Sequence, residues 1–226
     1  RHVSHEVVDA RLLGVEVPGF PDPVPQDWIR DAYVRRNDLI VTYERPAPDD
    51  LRTQVYWRYV SDSAPDDRVS QDPAIPNRAD GVHLIVSLQT DRLDLRPTLR
   101  LVNHLPAGEV LRWAEASNQW TILSDTDHDG LNAPTEQGHS PAWLIRPLSI
   151  DASIVLMTLP SDLVGTHLCR DASGWRLDFQ LLDEHLEKGV IRRAQAAAWL
   201  VPRSADEPWA WRIFNQLRSA PPPLTT

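Results

Sequence analysis

Residues 125–136 read Asp-Thr-Asp-His-Asp-Gly-Leu-Asn-Ala-Pro-Thr-Glu, the stretch whose types and spacing are closest to a defined chemistry. Carboxylates stand at relative positions 1, 3, 5 and 12 and a glycine at 6, the spacing of a calcium loop. In that reading the side chains of Asp125, Asp127 and Asp129, the carbonyl of Leu131 and the carboxylate of Glu136 surround a structural Ca2+. A hard cation suits this density of oxygens, and without one the clustered carboxylates repel each other. Against a helical hand, the preceding Trp120-Thr-Ile-Leu reads as a strand, Asn132 replaces the usual apolar residue, and Pro134 restricts the exit. Asp, Asn and Gly also make ordinary solvated turns, and that plainer reading stands beside the calcium one. Identical melting midpoints in millimolar calcium and in chelator would remove the metal.

Tryptophan is the second signal: nine in 226 residues. Sugar rings stack on aromatic faces, and residues two apart on a strand share a face. Trp209 with Trp211, and Trp57 with Tyr59, therefore form a candidate carbohydrate-binding strip. The bland alternative is that these rings fill the core, as large aromatics usually do.

Histidines 83, 104, 128, 139, 167 and 185 form the third set. No His-Glu-x-x-His is present, so an imidazole–carboxylate site has to be assembled by the fold. Residues 138–142 match only part of the Gly-x-Ser-x-Gly pattern around Ser140, with Ala142 in place of the last glycine. Phosphate-cradling glycine motifs are missing. The single cysteine, Cys169, excludes an internal disulfide and a cysteine zinc cage.

Composition narrows the partners. Hydrophobic residues make up 42% and charged residues 24%, as in a core-forming chain. The formal charge of −9 argues against nucleic acid and anionic lipid. No apolar run approaches the roughly 20 residues of a membrane helix. The first residue is Arg1 rather than Met, so a removed signal peptide stays open and the compartment is unknown.

The elements that must position these groups read as strands. Residues 38–44 and 54–60 form a β-branched and aromatic pair. Residues 81–90 alternate cleanly, with Val82, Leu84, Val86 and Leu88 on one face. Strands are also expected over 98–105, 109–114, 119–124, 142–148, 152–159, 165–170 and 175–182. Residues 183–203 suit either a helix or a strand; we expect a helical turn at 183–187, then a strand over 190–201. Alternation predicts another strand over 209–217.

Residues 1–32 read as an extended proline-rich arm ending in a helical turn near 27–30, and 61–80 as a long acidic loop. About ten to twelve short strands with regular turn signals predict one all-β domain, a large antiparallel β-sandwich with few helices. The expected function is a non-catalytic binding module for carbohydrate. The alternatives are a sugar-active enzyme using histidine and carboxylate as acid and base, and an interaction scaffold without a small ligand.

Overall fold

The computed structural model describes residues 10–17, 19–21, 24–45, 50–63, 78–123, 140–170 and 174–221. Strands come first in the chain: β1 (Arg11–Glu16), β2 (Ile29–Arg35), β3 (Asp38–Glu44), β4 (Leu51–Ser63) and β5 (Arg78–Thr90). Then follow β6 (Asp94–Leu95), β7 (Leu99–Pro106), β8 (Gly108–Ala114), β9 (Gln119–Ile122), β10 (Ala142–Pro147) and β11 (Ala152–Thr158). The last strands are β12 (Leu163–Arg170), β13 (Gly174–Leu181), β14 (Leu186–Glu187) and β15 (Ile191–Pro202). One helix of fourteen residues, α1 (Asp206–Ser219), ends the described fold.

The protein is an all-β antiparallel sandwich. A nine-stranded sheet runs β2-β3-β4-β5-β15-β11-β10-β8-β9, and a four-stranded sheet runs β1-β7-β13-β12. The small pair β14-β6 stands beside them. Alternation decides what each face meets. Leu99, Leu101 and Leu105 of β7, with Leu177 and Phe179 of β13, point inward. They meet Leu84, Val86, Leu88, Ala196 and Leu156 of the large sheet in one buried core. The outward residues of β15, β11 and β10 are also apolar: Ala197, Trp199, Val155, Met157 and Leu144. A strand apolar on both faces needs a second cover, and α1 provides it.

That helix corrects the strand expected over residues 209–217. Its buried apolar positions are Trp209, Ala210, Ile213, Phe214 and Leu217, a helical stripe. Residues 209, 213 and 217 satisfy both a two-residue and a 3.6-residue period, so alternation alone was a false guide; Ala210 and Phe214 break the tie. Arg146 of β10 fixes the start of α1. Its Nε and Nη2 donate to the two carboxylate oxygens of Asp206 at 2.8 and 3.0 Å, and Nη2 also donates to Glu207 at 2.8 Å. Ser153 adds a 2.6 Å bond to Asp206. Burial pushes the Asp206 carboxyl up, but Arg146 and Ser153 outweigh it and hold the group below its ordinary value.

Three other expectations change. Residues 183–187 hold no helical turn; Leu186–Glu187 is the short strand β14, paired with β6. Strand β15 then forms as expected, because pairing with β5 and β11 outweighs the helical propensity of its alanines. The expected arm contains two real strands, β1 on the small sheet and β2 on the large one, with a 3-10 turn at Gln26–Trp28. The expected acidic loop is shorter at both ends, since β4 runs to Ser63 and β5 starts at Arg78; residues 64–77 lie outside the described residues.

Candidate active site on the four-stranded sheet

The outward residues of the small sheet differ in kind from those under α1. Register places them in three rungs. Arg11, His104, Arg176 and Cys169 share the first, and Gly14, Val102, Asp178 and His167 the second. Glu16, Arg100, Gln180 and Gly165 share the third. Directly opposed side chains stand roughly 5 Å apart at Cβ, so imidazoles, carboxylates and guanidiniums converge on one surface.

Asp178 is the centre of this surface. Its side chain is only 6% exposed, although it faces outward. Arg176, two residues earlier on the same face, donates from Nε at 2.9 Å and from Nη2 at 3.0 Å. Arg100 Nη1 lies 3.9 Å from the same carboxylate. Pairing with Asp178 holds the Arg176 guanidinium firmly charged, against the opposing effect of burial. Glu16 completes the network. Arg100 Nη2 is 2.6 Å from one of its oxygens, and Arg176 Nη2 is 4.0 Å from the other. Arg176 thus reaches from the histidine rung past Asp178 toward Glu16, which Arg100 holds on its own rung.

A groove of about 700 Å3 opens beside this network, over the β1–β7 side of the face. Glu16, Arg100, His104 and Gln180 line it, with Phe20 and Val24 of the segment after β1 on its other side. Strand β1 stays seated beside the groove through a bulge. Leu13 takes φ +56°, its N–H donates to the buried Asn103 Oδ1 at 2.8 Å, and Asn103 Nδ2 donates in turn to the Leu177 carbonyl at 2.9 Å.

The residues named from sequence fall elsewhere or apart. Trp209 is buried in α1, packed beneath Arg212. Trp211, on the same helix, stacks on Trp113 with centroids 4.6 Å apart. They form no strip on a strand. Trp57 and Tyr59 do share a face of β4 and line a separate cleft of about 440 Å3. Asp125, Asp127, Asp129, Leu131 and Glu136 lie outside the described residues, as do His128 and His139. Among the described residues no three His, Cys, Asp or Glu side chains converge as metal ligands.

The other histidines are less well placed. His83 lies beside Arg58, which separates it from Asp38, and packs edge-on against Trp199. His185 meets Asp94 at 2.7 Å, with both groups largely exposed. Ser140 is buried, with its hydroxyl 2.9 and 2.8 Å from the carbonyls of Trp113 and Ala142, so it holds a turn. Asp178, Arg100, Arg176, Glu16 and Gln180 were not singled out from sequence. Their signal was present as polar alternation, Arg100-x-x-x-His104 and Arg176-x-Asp178-x-Gln180. Only cross-strand register brings the two runs together.

No protein-family model matches the chain, and no curated relative does. Solved structures of the galactose mutarotase-like β-sandwich kind are similar to it. One, from Escherichia coli K12 and assigned as an aldose 1-epimerase, is 10% identical with a TM-score of 0.46, over 76% of this chain and 68% of that one. A galactose mutarotase related enzyme from Lactobacillus acidophilus is 8% identical with a TM-score of 0.41, over 75% and 70%. A protein from the human microbiome assigned as a kojibiose phosphorylase is 9% identical with a TM-score of 0.35. It is matched over 80% of this chain and only 20% of its own length.

The expectation of a non-catalytic carbohydrate-binding module is corrected: its main strip is absent, because Trp209 and Trp211 are helical and packed.

Proposed function

We propose that this chain is a sugar-active enzyme whose acid–base groups lie in the groove over the four-stranded sheet. The observation that carries the reading is that an imidazole, His104, and a carboxylate, Glu16, line one groove. That face, rather than the names of the similar structures, is what supports it.

Ring opening of an aldose needs a base at the anomeric hydroxyl and an acid at the ring oxygen. Hydrolysis of a glycoside needs an acid at the bridging oxygen and a base for water. In either case one group accepts a proton while another donates one. His104 and Glu16 are assigned these two roles. Arg100 lines the groove and is held between Glu16 and Asp178, so it binds hydroxyls and stabilises a developing oxyanion with little reorganisation, while Arg176 holds Asp178 behind it. Gln180 supplies a neutral donor and acceptor at the same wall. His167, opposite Asp178, stands at the far side of the face.

The test is anomer exchange of free aldoses by NMR, run beside hydrolysis of a glycoside panel. Turnover of at least one sugar is expected. His104→Ala is expected to lower the rate about 100- to 10,000-fold, the usual range for a lost general acid or base. No turnover of any sugar, or an unchanged rate in His104→Ala, would reject the assignment.

A further inference from the structure

The cleft that holds Trp57 and Tyr59 is chemically the opposite of the groove. It opens where the start of β1 approaches β4, β5, β15 and β11 of the large sheet, and its walls include Leu12, Leu13, Val82 and Ile154. Strand β1 borders both cavities, with Leu13 in the cleft and Arg11, Gly14 and Glu16 along the groove. At about 440 Å3 the cleft falls within the range of small-molecule sites.

Two of its lining residues, Tyr59 and Asp80, form a polar cluster with Arg78 just outside the lining. Tyr59 donates to Asp80 Oδ1 at 2.6 Å, and Arg78 donates to the same oxygen from Nε and Nη2 at 3.0 and 2.9 Å. Arg78 Nη2 also reaches the Tyr59 oxygen at 2.9 Å. Arg78 and Asp80 cancel in charge, so an ionic head would meet one repulsive partner whatever its sign. A hydroxyl meets acceptors in Asp80 and the Tyr59 oxygen, whose own proton is given to Asp80, and a donor in Arg78. We infer that the cleft binds a small uncharged amphiphile: an alcohol with an extended apolar body in the cleft and its hydroxyl at the Tyr59–Asp80–Arg78 rim.

This site is independent of the sugar reading and is tested without sugar. Calorimetric titration of the whole protein with 1-butanol, 1-hexanol and 1-octanol is expected to show binding that tightens about fourfold per added methylene. Octanoate and octylammonium, with the same chain and a charged head, are expected to bind at least tenfold more weakly than octanol. Tyr59→Phe keeps the ring and loses the hydroxyl; about a fivefold loss for octanol is expected, with little change in melting temperature. Leu12→Asp at the half-open mouth is expected to weaken octanol more strongly still.

Absence of octanol binding, affinity independent of chain length, or equal affinity for all three head groups overturns the proposal. So does octanol binding that appears only in a Val7→Asp, Val8→Asp variant, since the cleft would then belong to the chain's own preceding residues. Release of a dimer to monomer by octanol would assign the cleft to a second copy and overturn it equally.

Discussion

The outer faces of the two sheets follow the same backbone alternation and carry opposite chemistry. On the large sheet the outward positions of β15, β11 and β10 that α1 covers are mostly Ala, Trp, Val, Met and Leu, with Arg146 and Ser153 bound to the start of the helix. On the small sheet the outward positions of β7 and β13 include Arg100, His104, Arg176, Asp178 and Gln180, with Val102 the apolar exception, beside a groove. An apolar outer face is a demand for cover, and a charged one is paired from within. The charged face includes a nearly buried carboxylate, Asp178, with the guanidiniums of Arg176 and Arg100 against it. The lesson is that aromatic richness marked the covered face, while the candidate chemistry lies where tryptophan is sparse.

Substitutions should separate the two faces. The largest stability effect is expected for Phe214→Ala, which empties a fully buried site beneath α1. A loss of about 3–5 kcal/mol by denaturant titration is expected, with the sugar activity of the folded fraction unchanged. A comparable loss of activity in that fraction would break the division between the faces.

Next is Arg146→Ala, which leaves Asp206 buried without its partner. Because Arg146 is partly exposed, the expected cost is about 2–3 kcal/mol, below that of a fully buried pair. Loss of helical circular dichroism ahead of strand signal on heating would show α1 detaching first.

A smaller effect concerns pH. Burial, and secondarily Arg58, hold the His83 imidazole below its ordinary value of 6.5. A histidine with a depressed folded value contributes stability that is fully present above the unfolded value. That contribution is lost as pH falls through the folded one. Between those two values the slope approaches about 1.4 kcal/mol per pH unit, and His83→Gln should flatten it. An unchanged stability–pH curve in that variant would show that His83 is not the titrating group.

The smallest stability effect is expected on the charged face. Glu16→Gln removes one partner of exposed Arg100 and should cost less than about 1 kcal/mol. The same variant should lose sugar turnover heavily, because Glu16 is assigned one acid–base role and His104 the other. A stability loss without an activity loss would make Glu16 a mere prop.

Individual elements show how far the sequence could be followed. Strands β5, β7 and β13 were legible because their alternation is long and one face is wholly apolar. Residues 209–217 were misread because their apolar positions fit two periods at once. Residues 183–187 were misread because local helical propensity opposed a pairing with β6, which lies more than ninety positions away from His185 along the chain in the Asp94 contact. The Asp178 network was invisible for a related reason. Arg100, Asp178 and Glu16 come from three strands, and no local pattern records which strands will be neighbours.

By itself, then, the sequence determined the class: alternation and β-branched runs commit the chain to antiparallel sheets, since only paired strands satisfy that many extended backbone groups. Which face α1 covers was decided by tertiary structure. So was the convergence of Glu16, Arg100, His104 and Asp178, because a side chain's direction is a local property and its cross-strand partner is not.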